Sequence, residues 1–412
     1  ELKDSESFET ADIAGPGFIN LRVSQAVIAK LIAETPAQTL TGRTVLVEYS
    51  DPNPFKPLHA GHLYTTLVGD SIARLIEQAG ANTIRLNYGG DVGLHAAKSM
   101  WAIVKEFGGE FPDQLTVIEP SARPQWLGDR YVEGNAAYED DETAKAEIVE
   151  CNKRIYALHE AGDHESGFAQ IYWICRDWSY EYFKVLYGQL QVHKFDRFIP
   201  ESEVTQLGVK TVREQLANGV YQENDGAVIY DGESKGLHTR VFINSAGLPT
   251  YETKDVGLIL TKWADYHFDE SIMITANEQS QYFEVMLHSV SNFAPEPVGR
   301  TRHLSHGMVK LQGGVKMSSR KGNIVTALDI IQAARDAAAE TNLGANEETV
   351  LAAVKYAFAK VRIGGDISYD PTESIALEGN SGPYLQYAHA RARSILRKAT
   401  AATSEADGME YL

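Results

Sequence analysis

The stretch TVLVEYSDPNPFKPLHAGHLYTTLVGDSIARLIEQAG, residues 44–80, carries the strongest fold signal in this sequence. Its first seven residues are largely apolar and β-branched, as in a buried strand, and three prolines within residues 51–57 then interrupt regular structure. After the prolines, apolar residues recur at three- and four-residue spacing until Gly80. The stretch therefore predicts a strand, a loop and an amphipathic helix.

A second strand is predicted directly after that helix. In TIRLNYGGD, residues 83–91, Ile84, Leu86 and Tyr88 alternate with polar residues. Strand, helix and strand in this order form a βαβ unit, and such units build parallel sheets that bind ligands at the carboxyl ends of their strands. The sequence therefore predicts an α/β fold with a Rossmann-like parallel sheet.

Composition limits the classes of protein that this chain can belong to. The 412 residues contain ample apolar content for a core, and no apolar run approaches the roughly 18 residues of a membrane span. Because nothing resembles a signal peptide either, we expect a cytoplasmic protein. The formal charge of −18 argues against non-specific nucleic-acid binding, although residues 355–398 are locally basic and could form an RNA-binding face.

Two histidines stand where the predicted helix begins. A helix N-terminus offers unpaired N–H groups that favour phosphate, and His59 and His62 add donors there. Gly61 would let a nucleotide approach the backbone closely, and Lys56 could add a positive charge. The alternatives for the two histidines are a helix cap and a chance metal pair.

A second stretch, VKLQGGVKMSSRKGNIVT at residues 309–326, also suits phosphate. Its glycine turn is followed by Lys316, Arg320 and Lys321 among two serines, a combination that can grip and release a polyphosphate. By itself it could equally be a solvent-exposed basic loop. Together, the two stretches resemble the paired signature motifs, HIGH and KMSKS, of class I aminoacyl-tRNA synthetases.

Further motifs narrow the resemblance to arginyl-tRNA synthetases. From about residue 13 to residue 398, the chain carries in the family's order VEYSDPNPFKPLHAGHL, NYGGDVGLH, YWICRDWSYEYFKVLYGQL, GLPTYETKDVGL, HGMVKLQGGVKMSSRKGN and GNSGPYLQYAHARARSILRK. ADIAGPGFINLRVS resembles the tail of the family's N-terminal additional domain, and GNSGPYLQYAHARARSIL the first helix of its anticodon-binding domain. We therefore expect a chain that lacks most of both flanking domains.

The resemblance implies a domain organisation. A Rossmann-like α/β catalytic domain, split by an insertion, is expected to be followed by a helical region. The expected divisions are a remnant of the N-terminal domain at 1–35, the catalytic domain at 36–325 with its insertion at about 105–245, a helical stem-contact region at 326–375, and the start of the anticodon-binding domain at 376–412.

A pocket that selects arginine needs a carboxylate and a flat ring for the guanidinium group. Tyr251 and Asp255 stand four residues apart on a predicted helix start, and thus on one face. The resemblance implies that these two hold the guanidinium together with Gln279, and that Ser50 and Asn53 meet the α-amino and carboxylate ends. The alternatives are that Tyr251 belongs to the core and that Asp255 is an ordinary helix cap.

For ATP, the resemblance implies that His59 and His62 contact the phosphates, while Met308 and Val309 lie against adenine and Gly307 gives room. The basic stretch would then close over the pyrophosphate, using Lys316, Ser318 and Lys321.

One position departs from the common motif of the class. Ser319 stands where KMSKS has its second lysine, and Lys56, Arg320 and Lys321 are alternative sources of that charge.

The expected activity is arginine–tRNA ligation in two steps. Arginine is first activated with ATP, and the arginyl group then passes to the 3′ end of tRNA(Arg). We expect Mg²⁺ to accompany the pyrophosphate and the protein to be a monomer. A class I synthetase of other specificity, and a non-catalytic synthetase-like module that binds RNA or a partner, are the alternatives.

Overall fold

The computed structural model describes residues 5–34, 37–312, 325–341 and 346–398. Its helices, in chain order, are α1 (Gln25–Ala33), α2 (Ala60–Gln78), α3 (Leu94–Phe107), α4 (Arg123–Asp140), α5 (Glu142–Ala161), α6 (Gly167–Gln189), α7 (Glu201–Ala217), α8 (Tyr251–Tyr266), α9 (Ser280–Ser291), α10 (Pro295–Gly299), α11 (Ala327–Ala339), α12 (Glu347–Ala359), α13 (Pro371–Ser374) and α14 (Gly382–Lys398). Short 3₁₀ turns occur at Pro112–Val117, Glu233–Lys235 and Asn277–Gln279. Within these described ranges, no helix has the length and apolar character needed to cross a membrane.

The strands are short. In chain order they are β1 (Phe8–Ala14), β2 (Phe18–Val23), β3 (Thr44–Glu48), β4 (Asn82–Gly89), β5 (Arg197–Pro200), β6 (Gln222–Asn224), β7 (Ala227–Tyr230), β8 (Arg240–Ile243), β9 (Glu270–Ala276), β10 (Thr301–His306), β11 (Val309–Leu311) and β12 (Ile367–Tyr369). β1 and β2 form a hairpin, β6, β7 and β8 form an antiparallel sheet, and β11 pairs with β12.

A five-stranded sheet in the order β10-β9-β3-β4-β5 forms the centre of the molecule, and every neighbouring pair in it is parallel. The predicted βαβ unit is present as β3, α2 and β4. The expectation of an α/β fold with a Rossmann-like parallel sheet is therefore confirmed. Because all five strands run in one direction, their carboxyl ends meet at one edge, where ligands bind in such folds.

Helix α2 lies unusually close to the sheet. A Cβ atom added to Gly69 would lie only 2.3 Å from the Cβ of Tyr49, so a larger residue would push the helix away from the chain after β3. Leu63 and Leu67 are buried on the same helix and contribute to the core between helix and sheet. This packing fixes the N-terminus of α2 at the carboxyl edge of the sheet.

Four helices, α3 to α6, stand between β4 and β5 and have a core of their own. Phe55, from the proline-rich loop before α2, is fully buried in that core, and its backbone N–H donates to Ser179 Oγ at 3.0 Å. The helices therefore hold the loop that leads to His59. The expected insertion at 105–245 includes β5, a strand of the central sheet, and the domain boundaries stay predictions.

The chain after the basic stretch returns to the start of α2. The N–H of Ala60 donates to Val325 O at 2.9 Å, and the N–H of Ala327 donates to Leu58 O at 2.8 Å. Helices α11 and α12 continue from there and join the core that α2 shares with the sheet. The residues on either side of His59 are thus fixed by backbone hydrogen bonds to the C-terminal helices.

Candidate active site

A cavity of about 640 Å³ opens at the carboxyl edge of the central sheet. Its lining includes most of the residues predicted from the sequence: Ser50, Asn53, His59, Gly61, His62, Tyr251, Asp255, Gln279, Gly307, Met308 and Val309. Lys56 is not part of the lining, although it lies in the adjoining loop. Lys316, Ser318, Ser319, Arg320 and Lys321 lie outside the described residues. The roles assigned to all of these residues stay predictions.

His59 and His62 cap helix α2 reciprocally. The backbone N–H groups of Gly61 and His62 donate to His59 Nδ1 at 3.1 and 3.4 Å, while the N–H of His59 donates to His62 Nδ1 at 3.3 Å. The two rings stack with their centroids 3.7 Å apart. A Cβ on Gly61 would lie 2.9 Å from the His59 ring, so the glycine makes room for this fold of the side chain. The helix cap is therefore real, and it also orients both imidazoles.

The cap also determines which ring nitrogen can donate. Because Nδ1 accepts a backbone hydrogen bond in each ring, the neutral form of each histidine carries its proton on Nε2. Partial desolvation, with the charge of Lys56 as a second cause, lowers the pKa of His59 to about 4, while part of the residue is exposed to solvent. Burial and the neighbouring His59 lower the pKa of His62 further below its usual range. At neutral pH the pair therefore offers two uncharged Nε2–H donors.

Lys56 is held by an aromatic ring. Its Nζ lies 4.4 Å from the centroid of the Tyr131 ring on α4, a distance typical of cation–π contacts. Burial lowers the pKa of Lys56 to about 8. Lys56 is thus a cation close to the histidine pair, and the protein stabilises its charge only partly.

Asp255 and Tyr251 stand at the start of helix α8, and both line the cavity. Asp255 is only 8% exposed, and its Oδ2 accepts a hydrogen bond from the hydroxyl of Tyr282 at 2.6 Å. Burial raises the pKa of Asp255 to about 7, against the lowering effect of the Tyr282 hydrogen bond. A cation that enters the cavity would stabilise the ionised form of this carboxyl. Tyr251, in contrast, is 53% exposed and therefore does not belong to the core.

Other carboxylates of the lining already have partners. Glu48 forms a buried ion pair with Lys262 at 2.9 Å, and Glu201 pairs with the buried Lys254. Lys254 Nζ also lies 4.4 Å from the ring centroid of Tyr251. Glu48 and Glu201 are therefore neutralised within the protein, whereas Asp255 forms no ion pair with any described residue.

Asp51 is a further acid in the lining. Burial raises its pKa well above the usual range, with the charge of Glu48 as the second cause, although its Oδ1 accepts from the N–H of Tyr88 at 2.7 Å. Across the described part of the chain, no three His, Cys, Asp or Glu side chains converge so as to hold a metal ion. Glu48, Asp51, Glu201 and Asp255 together give this cavity an acidic wall.

Ser50, Asn53 and Gln279 lie at different parts of the wall. The Ser50 hydroxyl is buried and hydrogen-bonded to Thr66 Oγ1 and Tyr187 Oη, both at 2.7 Å, so it is already engaged within the protein. Asn53 is accommodated by Gly90, where an added Cβ would lie 2.2 Å from Asn53 Oδ1. Gln279 ends the 3₁₀ turn before α9.

Residues 307–309 form a third part of the lining. The N–H of Met308 donates to Asp366 Oδ1 at 2.9 Å, and Val309 begins β11. A Cβ on Gly307 would lie 2.2 Å from Gly365 O, so the two glycines allow a close backbone contact. The Met308 side chain is 42% exposed, which leaves it free to contact a flat ligand.

Sequence reasoning missed several residues of the lining. They are Glu48, Asp51, Thr65, Tyr88, Glu201, Arg240, Glu252, Tyr282 and His306. Some stand inside motifs that the sequence had singled out, where strand ends and helical spacing could have indicated them. Others, such as Glu201 and Arg240, come from elements far along the chain and carry no local signal.

Comparisons with known proteins agree with this fold. The family model for tRNA synthetases class I (R), catalytic domain, matches residues 23–368. Among solved structures, arginyl-tRNA synthetases from Plasmodium falciparum and Thermus thermophilus share the fold, with TM-scores of 0.71 and 0.70 at 21% and 23% identity. These alignments cover 99% and 97% of this chain, and 71% and 72% of those chains. The fold is that of a class I tRNA synthetase catalytic domain.

Curated relatives specify the branch of that class. An arginine–tRNA ligase from Treponema denticola is 34% identical over 435 residues, covering 100% of this chain and 71% of that protein. Another, from Bacteroides thetaiotaomicron, is 30% identical and covers 97% of this chain and 71% of that protein. The chain belongs to the arginyl-tRNA synthetase family and spans about 71% of the length of these relatives.

Proposed function

We propose that this cavity activates L-arginine with ATP and passes the arginyl group to the 3′ end of tRNA(Arg). Arginine–tRNA ligation, which consumes ATP, is the activity of the family to which the chain belongs. One observation carries the assignment to these residues. The uncharged donors of His59 and His62 and the buried carboxyl of Asp255 line the same cavity of about 640 Å³.

The acidic wall would hold the side chain of arginine. In our proposal, Asp255 is the counter-ion of the guanidinium group, Tyr251 presents a flat ring, and Gln279 adds a neutral acceptor. The raised pKa of Asp255 supports this role, because a carboxyl destabilised by burial gains most from an incoming cation. Asn53, and Ser50 through its backbone, would meet the α-amino and carboxylate ends.

The start of α2 would hold the phosphates. In the first step, a carboxylate oxygen of arginine attacks the α-phosphorus of ATP, the bond to the bridging oxygen breaks, and pyrophosphate leaves. Negative charge grows on the phosphate oxygens during this step, and the Nε2–H groups of His59 and His62 would donate to them. Gly307, Met308 and Val309 would hold adenine. Positioning and charge stabilisation therefore carry the rate, because no protein nucleophile is required.

The second step needs the 3′ end of tRNA in the same cavity. A ribose hydroxyl attacks the carbonyl carbon of the arginyl-adenylate, the mixed anhydride breaks, and AMP leaves with the oxygen that joined it to the carbonyl. The proton of the hydroxyl passes to a phosphate oxygen of the departing AMP. Before its release in the first step, pyrophosphate would be bound by Lys56, Lys316, Ser318 and Lys321. Of these four, the described part of the chain includes Lys56, which stands three residues before His59.

For Mg²⁺ the proposed ligands belong to ATP and not to the protein. No group of described side chains could hold a metal ion, so the donor set does not fit a resident Mg²⁺. We propose that the ion arrives with the phosphates of ATP, which are hard oxygen ligands of the type that it prefers. We also propose a monomer located in the cytoplasm.

ATP–pyrophosphate exchange tests the proposal. The reaction should be run with each of the twenty amino acids, with and without tRNA(Arg), because the requirement for tRNA is part of the question. We expect exchange with arginine alone among the twenty. Exchange with a different amino acid would support a class I enzyme of other specificity. Absence of exchange under all conditions, with RNA binding retained, would support a non-catalytic module.

A further inference from the structure

His306 joins two parts of the cavity lining that are distant in the sequence. It is the last residue of β10, is only 2% exposed, and directly precedes the 307–309 segment. Thr65 stands in α2, one turn beyond Gly61, and also lines the cavity. His306 Nε2 lies 2.7 Å from Thr65 Oγ1. A single hydrogen bond therefore connects the helix that carries the histidine pair to the segment proposed for adenine.

The direction of this hydrogen bond follows from its neighbours. His306 Nδ1 lies 2.8 Å from the carbonyl oxygen of Gly307, which can only accept, so Nδ1 carries the proton. Burial lowers the pKa of His306, and the ring is therefore neutral at pH 7, with Nε2 as an acceptor. Thr65 Oγ1 donates to it. The same hydroxyl also lies 3.0 Å from Gly61 O, which already accepts within the helix as part of α2.

The rings around His306 hold it in this orientation. The ring centroid of Tyr64 lies 4.3 Å from that of His306, and the Tyr64 hydroxyl donates to Gly365 O at 3.4 Å. Gly365 O is the atom against which Gly307 packs. Tyr64, His306 and Gly307 thus form one contact network between α2 and the adenine segment.

We propose that the Thr65–His306 hydrogen bond is a positioning device for ATP. It fixes the separation between the start of α2, which holds the phosphates, and residues 307–309, which hold the base. ATP has to contact the start of α2 and residues 307–309 at the same time. Because the hydrogen bond sets their separation before ATP binds, the protein loses less conformational freedom on binding. The inference rests on the proposed function for its ligand. It assigns to Thr65 and His306 a role in positioning and not in the chemical step.

The test uses Thr65→Val, Thr65→Ser and His306→Phe. Valine has nearly the shape of threonine without the hydroxyl, serine keeps the hydroxyl, and phenylalanine keeps a ring beside Tyr64 without ring nitrogens. Loss of one buried hydrogen bond should raise the KM for ATP in exchange, and the Kd for ATP by calorimetry, about tenfold. The KM for arginine should stay within about twofold, since no arginine contact is removed. Thr65→Ser should restore values near those of the wild type.

His303→Phe is the matched control. His303 stands on the same strand, and its Nε2 lies 2.8 Å from Thr275 Oγ1, but it does not line the cavity. We expect its KM for ATP to be unchanged. His306→Phe removes the bond to Thr65 and also the hydrogen bond from Nδ1 to Gly307 O. The double variant Thr65→Val/His306→Phe should therefore bind ATP as weakly as His306→Phe and no more weakly.

Three results would overturn the inference: an unchanged Kd for ATP in Thr65→Val, an equal rise in the KM for arginine, or an equal effect of His303→Phe. Thermal unfolding separates these from a folding defect, because Thr65→Val removes only a hydroxyl at a nearly constant volume. Failure of the proposed function has a different signature, which is the absence of exchange in the wild-type chain. ATP calorimetry on that chain would still measure the effect of the hydrogen bond.

Discussion

Two helix starts face the same cavity and are built in different ways. At α2, His59 and His62 bond to the backbone of their own first turn, so neighbouring residues determine their orientation. At α8, Thr250 makes no side-chain cap, and Asp255 is oriented by Tyr282 at a sequence separation of 27. The difference shows that the proposed phosphate end of this site is encoded locally, whereas the proposed arginine end depends on tertiary packing.

Burial also changes the pKa of the key groups at the two helix starts in opposite directions. Desolvation penalises the charged form of any group, so it lowers the pKa of His59 to about 4 and raises that of Asp255 to about 7. The histidines therefore become neutral donors, suited to oxygens that gain negative charge. Asp255 becomes a carboxyl that needs a cation to stay ionised. One physical effect thus produces two complementary ends of a single site.

The largest expected effect comes from removing a phosphate donor while keeping the helix cap. In His59→Asn, the side-chain oxygen can take the place of Nδ1 and accept from the N–H groups of Gly61 and His62, since Asn is a favoured N-cap. The Nε2–H donor is lost. We expect adenylate formation, measured as ATP–pyrophosphate exchange, to fall about 10²-fold or more.

His59→Ala removes both functions and serves as the comparison. Loss of the cap should cost about 1 kcal/mol of the free energy of unfolding, which His59→Asn should retain. If His59→Asn exchanged pyrophosphate as fast as the wild type, His59 would be a structural cap alone, and the contrast between the two helix starts would disappear.

The second prediction addresses the arginine end. Asp255→Asn keeps the shape of the side chain but removes the charge that would face the guanidinium group. The KM for arginine should therefore rise by the factor that corresponds to about 2 to 4 kcal/mol of binding free energy. The KM for ATP should change little. In the absence of arginine, thermal unfolding at pH 8 should show a more stable variant, since a buried charge has been removed. An equal rise in the KM for arginine and the KM for ATP would contradict the proposal that the two ligands are bound by separate parts of the cavity.

The pH dependence of arginine binding is the third prediction. Arginine requires the ionised form of Asp255, whose pKa of about 7 means that protons compete with it below neutrality. The affinity should therefore fall about tenfold between pH 8 and pH 6 and level off above pH 8. The groups whose charges act on this carboxyl are Glu48, Glu201 and Lys254, while Tyr282 acts on it through its hydrogen bond.

For the stability of the free chain, linkage predicts the opposite pH dependence. Between about pH 4 and pH 7 the folded chain keeps the Asp255 proton while the unfolded chain loses it, so this group makes the free chain less stable as pH rises through that window. Arginine should restore more stability at pH 8 than at pH 6 in thermal unfolding. Asp255→Asn should abolish the difference, and a persistent difference would assign the titration to another group.

Local patterns predicted the part of the fold that local interactions form. The order strand, loop, helix and strand around residues 44–91 is present, and the helix begins directly after His59, where the two histidines were predicted to mark its start. The four residues of β5 carry too little pattern to be recognised inside the expected insertion. The Glu201–Lys254 ion pair joins residues 53 apart, and no sequence spacing encodes such a contact.

The smallest expected effect concerns Lys56, whose position depends on both local sequence and tertiary packing. Lys56 is local to the histidine pair, but Tyr131, 4.4 Å away on α4, holds it. Tyr131→Leu removes the cation–π contact and keeps an apolar neighbour, so exchange at pH 8 should fall about two- to fivefold, as expected for about 0.5 to 1 kcal/mol. Tyr131→Phe should retain the wild-type rate. Tyr138→Leu is the matched control, because Tyr138 stands on the same helix, 4.3 Å from Lys98. If both leucine variants slowed exchange equally, the loss would reflect the packing of α4, and Lys56 would not depend on its ring.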